Sequence, residues 1–253
     1  MSQSLRHPII LDIARRDGRV SVEELAREMQ VSVQTIRRDL HDLADAGQLT
    51  RVHGGAVLPS GVANIGYSDR RDLNSAAKSK MAQHCASLIP NGGSVFLNIG
   101  TTTEAVARAL LQHENLLVVT NNLNVANILA ANPACDVVVV GGTLRRSDGG
   151  LIGALTMRMI EQFKVDIAVI GCSAVDNKGT MLDYDLAEVG VSQTILRQSR
   201  SAILMADASK FQRTAPVCIG SLADVDRVIT DQPLSAGLAE YCASVGTVVT
   251  VPG

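Results

Sequence analysis

Apolar residues recur every three to four positions in three segments at the start of the chain, the spacing typical of amphipathic helices. The first segment predicts a helix over residues 6–17, ended by Gly18. The second predicts a short helix over residues 20–29, with Ser21 as its N-cap. The third starts at Ser32 and has one apolar face, formed by Val33, Ile36, Leu40 and Leu43.

The face of the third helix opposite these apolar residues is polar. At 100° per residue, Gln34 and Arg38 lie opposite the apolar face, flanked by Thr35 and Arg37. Gln and Arg can pair bidentately with base edges, while Thr and a second Arg can contact phosphates. A solvated surface helix would show a similar pattern. However, a short capped helix and a tight turn precede it, so a helix-turn-helix in the major groove is the better interpretation, with Ser32 at its start.

Residues 48–57 predict two short strands around a Gly-Gly turn, typical of the wing of a winged helix. Arg51 or His53 could contact the DNA backbone or the minor groove. His53 could equally be an inert surface residue. We therefore predict a winged helix-turn-helix over residues 1–58, followed by a linker over 59–74 that starts with Pro59-Ser60-Gly61.

From residue 75 onward, short Val- and Ile-rich runs alternate with helical segments, which predicts a mostly parallel sheet flanked by helices (α/β). The predicted strands are 94–99, 116–120, 136–140, 166–170 and 201–206, with further strands near 215–219, 226–230 and 247–251. The predicted helices are 75–89, 104–112, 123–131 and 186–198.

Ligands of such sheets bind at the carboxyl ends of the strands, and the polar residues of this domain lie there. Gly100, Thr101, Thr102 and Thr103 precede a helix and offer N–H groups and hydroxyls to an anion. Helix capping explains one such loop equally well, but several polar strand ends together favour a ligand site. Lys210, Lys78 and Arg145 are the candidate cations. Asn121, Asp207 and Glu188 are the candidate acceptors for ligand hydroxyls.

Composition restricts these interpretations in three ways. The chain has 253 residues, 46% hydrophobic but only 2% aromatic, so Val, Ile, Leu and Ala must build the core. It has no apolar run of about 18 residues and no signal-peptide pattern, which predicts a soluble cytoplasmic protein without a membrane segment. The five cysteines are scattered without a C-x-x-C pair, so we expect neither a metal site nor a disulfide framework.

Charge gives little support for nucleic-acid binding, because the net charge is −2 and residues 1–58 contain eight arginines and eight acids. Five of those acids precede the third helix and can lie away from DNA. Asp39 would repel phosphate, but its angle places it beside the buried face. We interpret it as a structural residue that orients an arginine.

The motif Ser-x-x-Thr-Ile-Arg-Arg-Asp-Leu at 32–40 resembles the recognition helix of the DeoR family of bacterial repressors. The strand-end residues resemble the sensor domain of the same family, which is similar in fold to ribose-5-phosphate isomerase. This resemblance implies a repressor of a carbon-catabolic operon, released from operator DNA by a phosphorylated sugar or polyol, with no other cofactor. It covers Asn98, Gly100, Thr101, Thr102, Thr120, Asn121, Asn122, Gly141, Gly142, Gly179, Asp207, Ser209 and Lys210.

Segments 120–127 and 148–153 are most similar to the branch of the family that regulates glycerol 3-phosphate use, which implies glycerol 3-phosphate as the effector. Asn98 stands where the family often has Asp, which removes a carboxylate from the predicted pocket. With balanced charge, a single small module has little non-specific affinity. We therefore expect a homo-oligomer that binds paired half-sites, with the sensor domain forming the contact.

Two enzymatic alternatives compete with this interpretation. A sugar-phosphate isomerase-like enzyme would use the same pocket, with Glu188, Asp183 or Asp207 as the base. The N-terminal DNA-binding module argues against it and for a regulator without catalytic residues. A dinucleotide-dependent oxidoreductase is excluded, because Gly141-Gly142 does not form G-x-G-x-x-G.

Overall fold

In its described residues, the N-terminal domain contains three helices and a three-stranded antiparallel sheet of order β1-β3-β2. The computed structural model describes residues 3–17, 19–46, 48–52, 54–57, 67, 71 and 74–253. The elements of this domain are α1 (Gln3–Asp17), β1 (Arg19–Ser21), α2 (Val22–Glu28), α3 (Val33–Asp45), β2 (Thr50–Val52) and β3 (Gly55–Val57). The predicted winged helix-turn-helix is confirmed, with β1 as an additional strand that pairs with the wing.

Both predicted helix caps form. The Ser21 hydroxyl accepts a hydrogen bond from the Glu24 N–H, and the Ser32 hydroxyl accepts one from the Thr35 N–H at 3.1 Å. Ile36, Leu40 and Leu43 are buried in the domain core as predicted. Val33 is 36% exposed, so its predicted place in the core is wrong. It is the first residue of α3, one turn before the helix packs against its neighbours.

Asp39 is the polar member of the buried face of α3. Its carboxylate accepts two hydrogen bonds from the Arg6 guanidinium, at 2.6 Å from Nε and 3.0 Å from Nη2. Both side chains are almost fully buried, and His7 Nε2 lies 3.5 Å from the same carboxylate. The expected structural role is confirmed: Asp39 joins α1 to α3, and its carboxylate is buried.

Replacing Asp39 with Asn should destabilise the N-terminal domain, because the Arg6 guanidinium would then be buried without its charge partner. We expect the melting temperature of that domain to fall by roughly 5–10 °C. The control is Asp45→Asn, an exposed acid on the same helix. Equal melting temperatures for the two variants would contradict this role of Asp39.

The C-terminal domain is built on a seven-stranded parallel sheet of order β15-β14-β12-β9-β4-β5-β6. These strands are β4 (Ser94–Leu97), β5 (Leu116–Thr120), β6 (Cys135–Val139), β9 (Val165–Ile170), β12 (Ser199–Met205), β14 (Arg227–Ile229) and β15 (Val248–Thr250). The helices are α4 (Ser75–Ser87), α5 (Thr101–Ala109), α6 (Leu123–Leu129), α7 (Ala154–Ile160), α8 (Leu186–Arg197) and α9 (Ala236–Val245). The predicted α/β class is confirmed.

Two hydrophobic clusters cover the two faces of this sheet. Residues of α4, α5 and α6 form one cluster, including Met81, Val106, Leu110 and Leu129. Residues of α7, α8 and α9 contribute to the other, which also contains the fully buried Phe96. Burial on both faces explains why the strands are continuous apolar runs without alternation. No helix in the described part of the chain is long and apolar enough to cross a membrane.

Several smaller elements differ from the prediction. The hairpin of β7 (Thr143–Arg145) and β8 (Gly150–Ile152) was not predicted, nor were α7 and α9. The predicted strand near 215–219 is β13 (Val217–Ser221), but it leaves the parallel sheet and pairs with β11 (Thr180–Asp183). A further short strand, β10 (Ala174–Val175), completes that antiparallel sheet.

The order of the strands determines where a ligand can bind. From β4 the chain proceeds to β5 and β6 on one side, and then crosses to β9, β12, β14 and β15 on the other. The direction therefore reverses between β4 and β9. The crevice at the carboxyl ends of strands beside such a reversal is the usual ligand site of an open parallel sheet.

Candidate functional site

A polar cavity lies at this reversal, over the carboxyl ends of β4, β9 and β12. Its volume is about 40 Å³. It is lined by Lys78, Ile99, Gly100, Thr101, Thr102, Thr103, Gly171, Cys172, Ser173, Asp183, Glu188, Met205, Asp207, Ser209, Lys210 and Arg213.

The loop after β4 forms the anion-binding wall of the cavity. Gly100 has φ 144° and ψ 153°, a conformation open essentially to glycine alone, and α5 begins at the next residue. The helix thus starts three residues earlier than predicted, and Thr101, Thr102 and Thr103 form its first turn. The Thr103 hydroxyl donates to the Asn98 and Gly100 carbonyls at 2.7 Å. First-turn N–H groups and the helix dipole favour an anion at this wall.

Three cations converge on the opposite wall around Asp207. Burial alone would raise the pKa of Asp207, but Lys210, the Ser209 hydroxyl, Lys78 and Arg213 outweigh that effect and hold the pKa below its ordinary value. Lys78 comes from the first turn of α4 and is buried although it carries a charge. A cavity with a helix N-terminus and three cationic side chains is chemically suited to a phosphate.

Two further carboxylates, Asp183 and Glu188, complete the cavity. Asp183 accepts hydrogen bonds from the Ser173 hydroxyl at 2.9 Å and from the Tyr184 N–H at 2.7 Å. Glu188 forms an ion pair with Arg145, but the same guanidinium also forms ion pairs with Asp148 and Asp185. Because one cation is divided among three carboxylates, it offsets burial only in part. Burial, with a smaller contribution from Asp183, raises the pKa of Glu188 to about 7.

This raised pKa predicts a pH dependence of stability. The pKa of Glu188 is about 4.5 in the unfolded chain and about 7 in the fold, so ionising this carboxyl is less favourable in the folded state than in the unfolded state. The contribution is fully present below pH 4.5 and is lost as pH rises through 7. We expect the free energy of unfolding of the C-terminal domain to fall by up to about 3 kcal/mol over this range.

Glu188→Gln isolates this effect, because glutamine does not titrate. The difference in unfolding free energy between variant and wild type should grow in favour of the variant from pH 5 to pH 8, measured by urea denaturation at fixed ionic strength. Parallel pH profiles would contradict the raised pKa of Glu188.

Three predicted ligand residues lie outside the cavity and make structural contacts instead. The Asn98 amide donates to the Ser192 hydroxyl at 2.9 Å, which joins β4 to α8. The Asn121 amide donates to the Leu151 carbonyl at 3.1 Å, and the Asn122 side chain caps α6. The β7–β8 hairpin covers the end of β5, where Leu151 accepts from the Asn121 amide and the Asn122 backbone pairs with Gly150.

Gly141, Gly142 and Arg145 also lie outside the cavity lining. Gly142 has φ 154°, and a Cβ there would come within 1.8 Å of the Thr156 hydroxyl oxygen, so close packing against α7 requires the glycine. The Gly141 N–H faces the Met159 sulfur. Arg145 is one contact away from the cavity, through Glu188. β6, which precedes the glycine pair, is separated from β4 by a full strand.

Arg213 is the main cavity residue that the sequence reading missed. It follows Asp207 and Lys210 at intervals of three, the repeat of the short 3₁₀ helix Ala208–Gln212. That spacing was the available signal. Cys172 also lines the cavity, and burial raises the pKa of its thiol to about 12, so it is a neutral wall residue.

The residues predicted to contact DNA lie on one surface of the N-terminal domain. Gln34, Arg37 and Arg38 are exposed on α3, and Arg51 is exposed on β2. Arg37 and Arg51 line the same depression between α3 and the wing. The hydroxyls of Ser32 and Thr35 bond each other at 2.8 Å at the start of the helix. His53 lies outside the described residues.

Comparison with known proteins agrees with both parts of this structure. Residues 6–62 match the model of the DeoR-like helix-turn-helix domain, and residues 73–232 match that of the DeoR C terminal sensor domain. The chain is 48% identical to the glycerol-3-phosphate regulon repressor of Haemophilus influenzae, over 95% of this chain and 94% of that protein. It is 46% identical to the repressor of the same name from Escherichia coli, over 92% of each.

Solved structures give a more distant similarity. A ribose-5-phosphate isomerase in complex with phospho-erythronic acid has a TM-score of 0.41 and 14% identity, over 54% of this chain and 54% of that chain.

Proposed function

Because the chain belongs to the DeoR family of helix-turn-helix regulators, we propose that it represses an operon for glycerol 3-phosphate use and leaves its operator when it binds that compound. The observation that carries the effector proposal is the cavity in which a helix N-terminus faces Lys78, Lys210 and Arg213. The similarity to repressors named for the glycerol-3-phosphate regulon supports the choice of effector.

The charged and polar groups of this cavity match the two parts of the proposed ligand. The phosphate takes the N–H groups of the Gly100–Thr103 loop and the charges of Lys210, Lys78 and Arg213. The glycerol hydroxyls donate to Asp207 and Glu188, since carboxylates accept hydrogen bonds from hydroxyls and repel phosphate. Asn121 lies outside the cavity lining and is not placed to bind these hydroxyls.

A thermal-shift screen tests the effector directly. At a concentration one hundred times its Kd, a ligand stabilises the native state by about 2.7 kcal/mol. We expect glycerol 3-phosphate to raise the melting temperature of the C-terminal domain and glycerol to leave it unchanged. Stabilisation by glycerol and other neutral polyols, with no response to phosphorylated polyols or sugars, would contradict the proposal.

On the DNA side, we propose that Gln34 and Arg38 contact base edges, and that Ser32, Thr35, Arg37, Arg51 and His53 contact the backbone. The proposed organisation is a DNA-binding domain over 1–58, a linker over 59–74 and a sensor domain over 75–253. The protein would act in the cytoplasm as a homo-oligomer on paired half-sites, with the contact in the sensor domain. A monomer at micromolar concentration in sedimentation, with and without operator, would contradict this assembly.

The enzyme alternative receives one supporting observation, the pKa of Glu188 near 7, which suits a general base. However, the family and the relatives are regulators, and the cavity domain follows a helix-turn-helix. The chain is therefore a regulator and not an isomerase. We expect no turnover of ribose 5-phosphate or glycerol 3-phosphate by the purified protein.

A further inference from the structure

The short 3₁₀ helix Ala208–Gln212 has two functional sides. Asp207, Ser209 and Lys210 line the effector cavity from this segment, and Arg213 follows at its end. Residues three apart are eclipsed in a 3₁₀ helix, so Asp207, Lys210 and Arg213 follow one edge of the segment, and Ser209 and Gln212 follow the next. The first of these edges holds two of the three cations of the cavity.

The other side of the segment faces the DNA-binding domain. Ala208 and Gln212 line a groove between the two domains, with a volume of about 620 Å³. The opposite wall of the groove is formed by residues of α1, β1 and α2: Ile13, Val20, Ser21, Glu24, Leu25, Arg27 and Glu28. The same five-residue helix therefore borders the ligand site and the DNA-binding domain.

Lys210 and Gln212 lie two residues apart in this segment, which rises about 2 Å per residue and is roughly 10 Å long. The Ala208 N–H donates to the Asp231 carboxylate at 2.6 Å, and the Ser209 N–H donates to Asp207 at 3.0 Å, which holds its first turn. A displacement of Lys210 therefore changes the position of Gln212.

We propose that this 3₁₀ helix transmits effector binding to the DNA-binding domain. A phosphate in the cavity competes with Asp207 for Lys210 and Arg213 and so repositions the segment. This shift changes the contacts of α1 and α2 with Ala208 and Gln212. The orientation of the recognition helix changes as a consequence. This inference rests on the proposed function and adds the route by which the effector controls DNA binding.

Opposite charges at Gln212 provide the test. The facing wall carries Glu24 and Glu28 against Arg27, a net negative charge, so Gln212→Lys should favour the contact between the domains and Gln212→Glu should oppose it. Each variant is assayed as the full chain for the ratio of operator Kd with and without glycerol 3-phosphate. We expect the two variants to change this ratio in opposite directions, by roughly two- to fivefold between them.

Gln112→Lys and Gln112→Glu are the matched controls, since they place the same charges on an exposed part of the sensor domain. Direct binding of glycerol 3-phosphate should stay within about twofold of wild type in all four variants, which shows an intact cavity. Gln212→Ala, without a new charge, tests for simple misfolding, and we expect it to fold and to respond to ligand.

The outcomes separate the two proposals. If wild type responds to glycerol 3-phosphate and both charged Gln212 variants show the same ratio of operator Kd values as wild type, transmission through the 3₁₀ helix is contradicted while the proposed function stands. A shift of both variants in the same direction also contradicts it. If wild type binds no glycerol 3-phosphate, the proposed effector fails, and the route fails with it.

Discussion

Lys210→Ala is expected to produce a protein that keeps its operator affinity and no longer responds to glycerol 3-phosphate. Lys210 lines the proposed effector cavity beside Asp207, whereas the residues proposed to contact DNA belong to the N-terminal domain. A hydrogen bond between charged groups contributes about 1.5–3 kcal/mol, so its loss should lower the affinity for the ligand roughly 10- to 150-fold. Calorimetry of ligand binding and operator titrations with and without ligand measure the two effects.

Lys178→Ala is the control for Lys210→Ala, because Lys178 is an exposed lysine of the same domain. We expect Lys178→Ala to resemble wild type in both assays. An unchanged ligand response in a folded Lys210→Ala variant would contradict the proposed phosphate site.

The second large effect is expected at the recognition helix. Gln34→Ala and Arg38→Ala should each weaken binding to the specific operator by about 1–3 kcal/mol, because we propose that both exposed side chains contact base edges. Arg37→Ala should weaken specific and non-specific DNA to a similar degree, as loss of a phosphate contact does, and should reduce the salt dependence. Titrations at several fixed salt concentrations separate the two classes.

The control for the recognition-helix variants is a substitution in α2. Glu24 and Glu28 face the groove between the domains, so Glu28→Ala should leave the preference for operator over random DNA unchanged. Wild-type operator binding by all three α3 variants would contradict the assignment of α3 as the recognition helix.

The sequence predicted the elements that depend on local patterns. The caps at Ser21 and Ser32, the buried face of α3 and the apolar strands all follow from spacings within about ten residues. Asp39 is an instructive case, since its helical angle predicted burial and an arginine partner, whereas only the fold shows that the partner is Arg6, 33 residues away. The burial predicted for Val33 was wrong because periodicity does not tell where along a helix the core begins.

The cavity could be predicted only in part, because strand order is a long-range property. The loops after β4 and β12, which the sequence predicted for one ligand site together with Lys78 and Glu188, lie together in its lining. Asn121, Asn122, Gly141 and Gly142 also follow strands, but β5 and β6 lie on the other side of β4, and the unpredicted hairpin covers the end of β5. Arg213 was missed because a 3₁₀ turn has no apolar periodicity to indicate it.

The most direct test of the central claim is a titration of wild-type protein onto its operator, selected from genomic fragments, at one salt concentration with and without glycerol 3-phosphate. Effectors typically change affinity 5- to 150-fold. We predict that saturating glycerol 3-phosphate weakens operator binding within this range, while an equal concentration of glycerol has no effect. Tight operator binding that no phosphorylated polyol or sugar weakens would contradict the account.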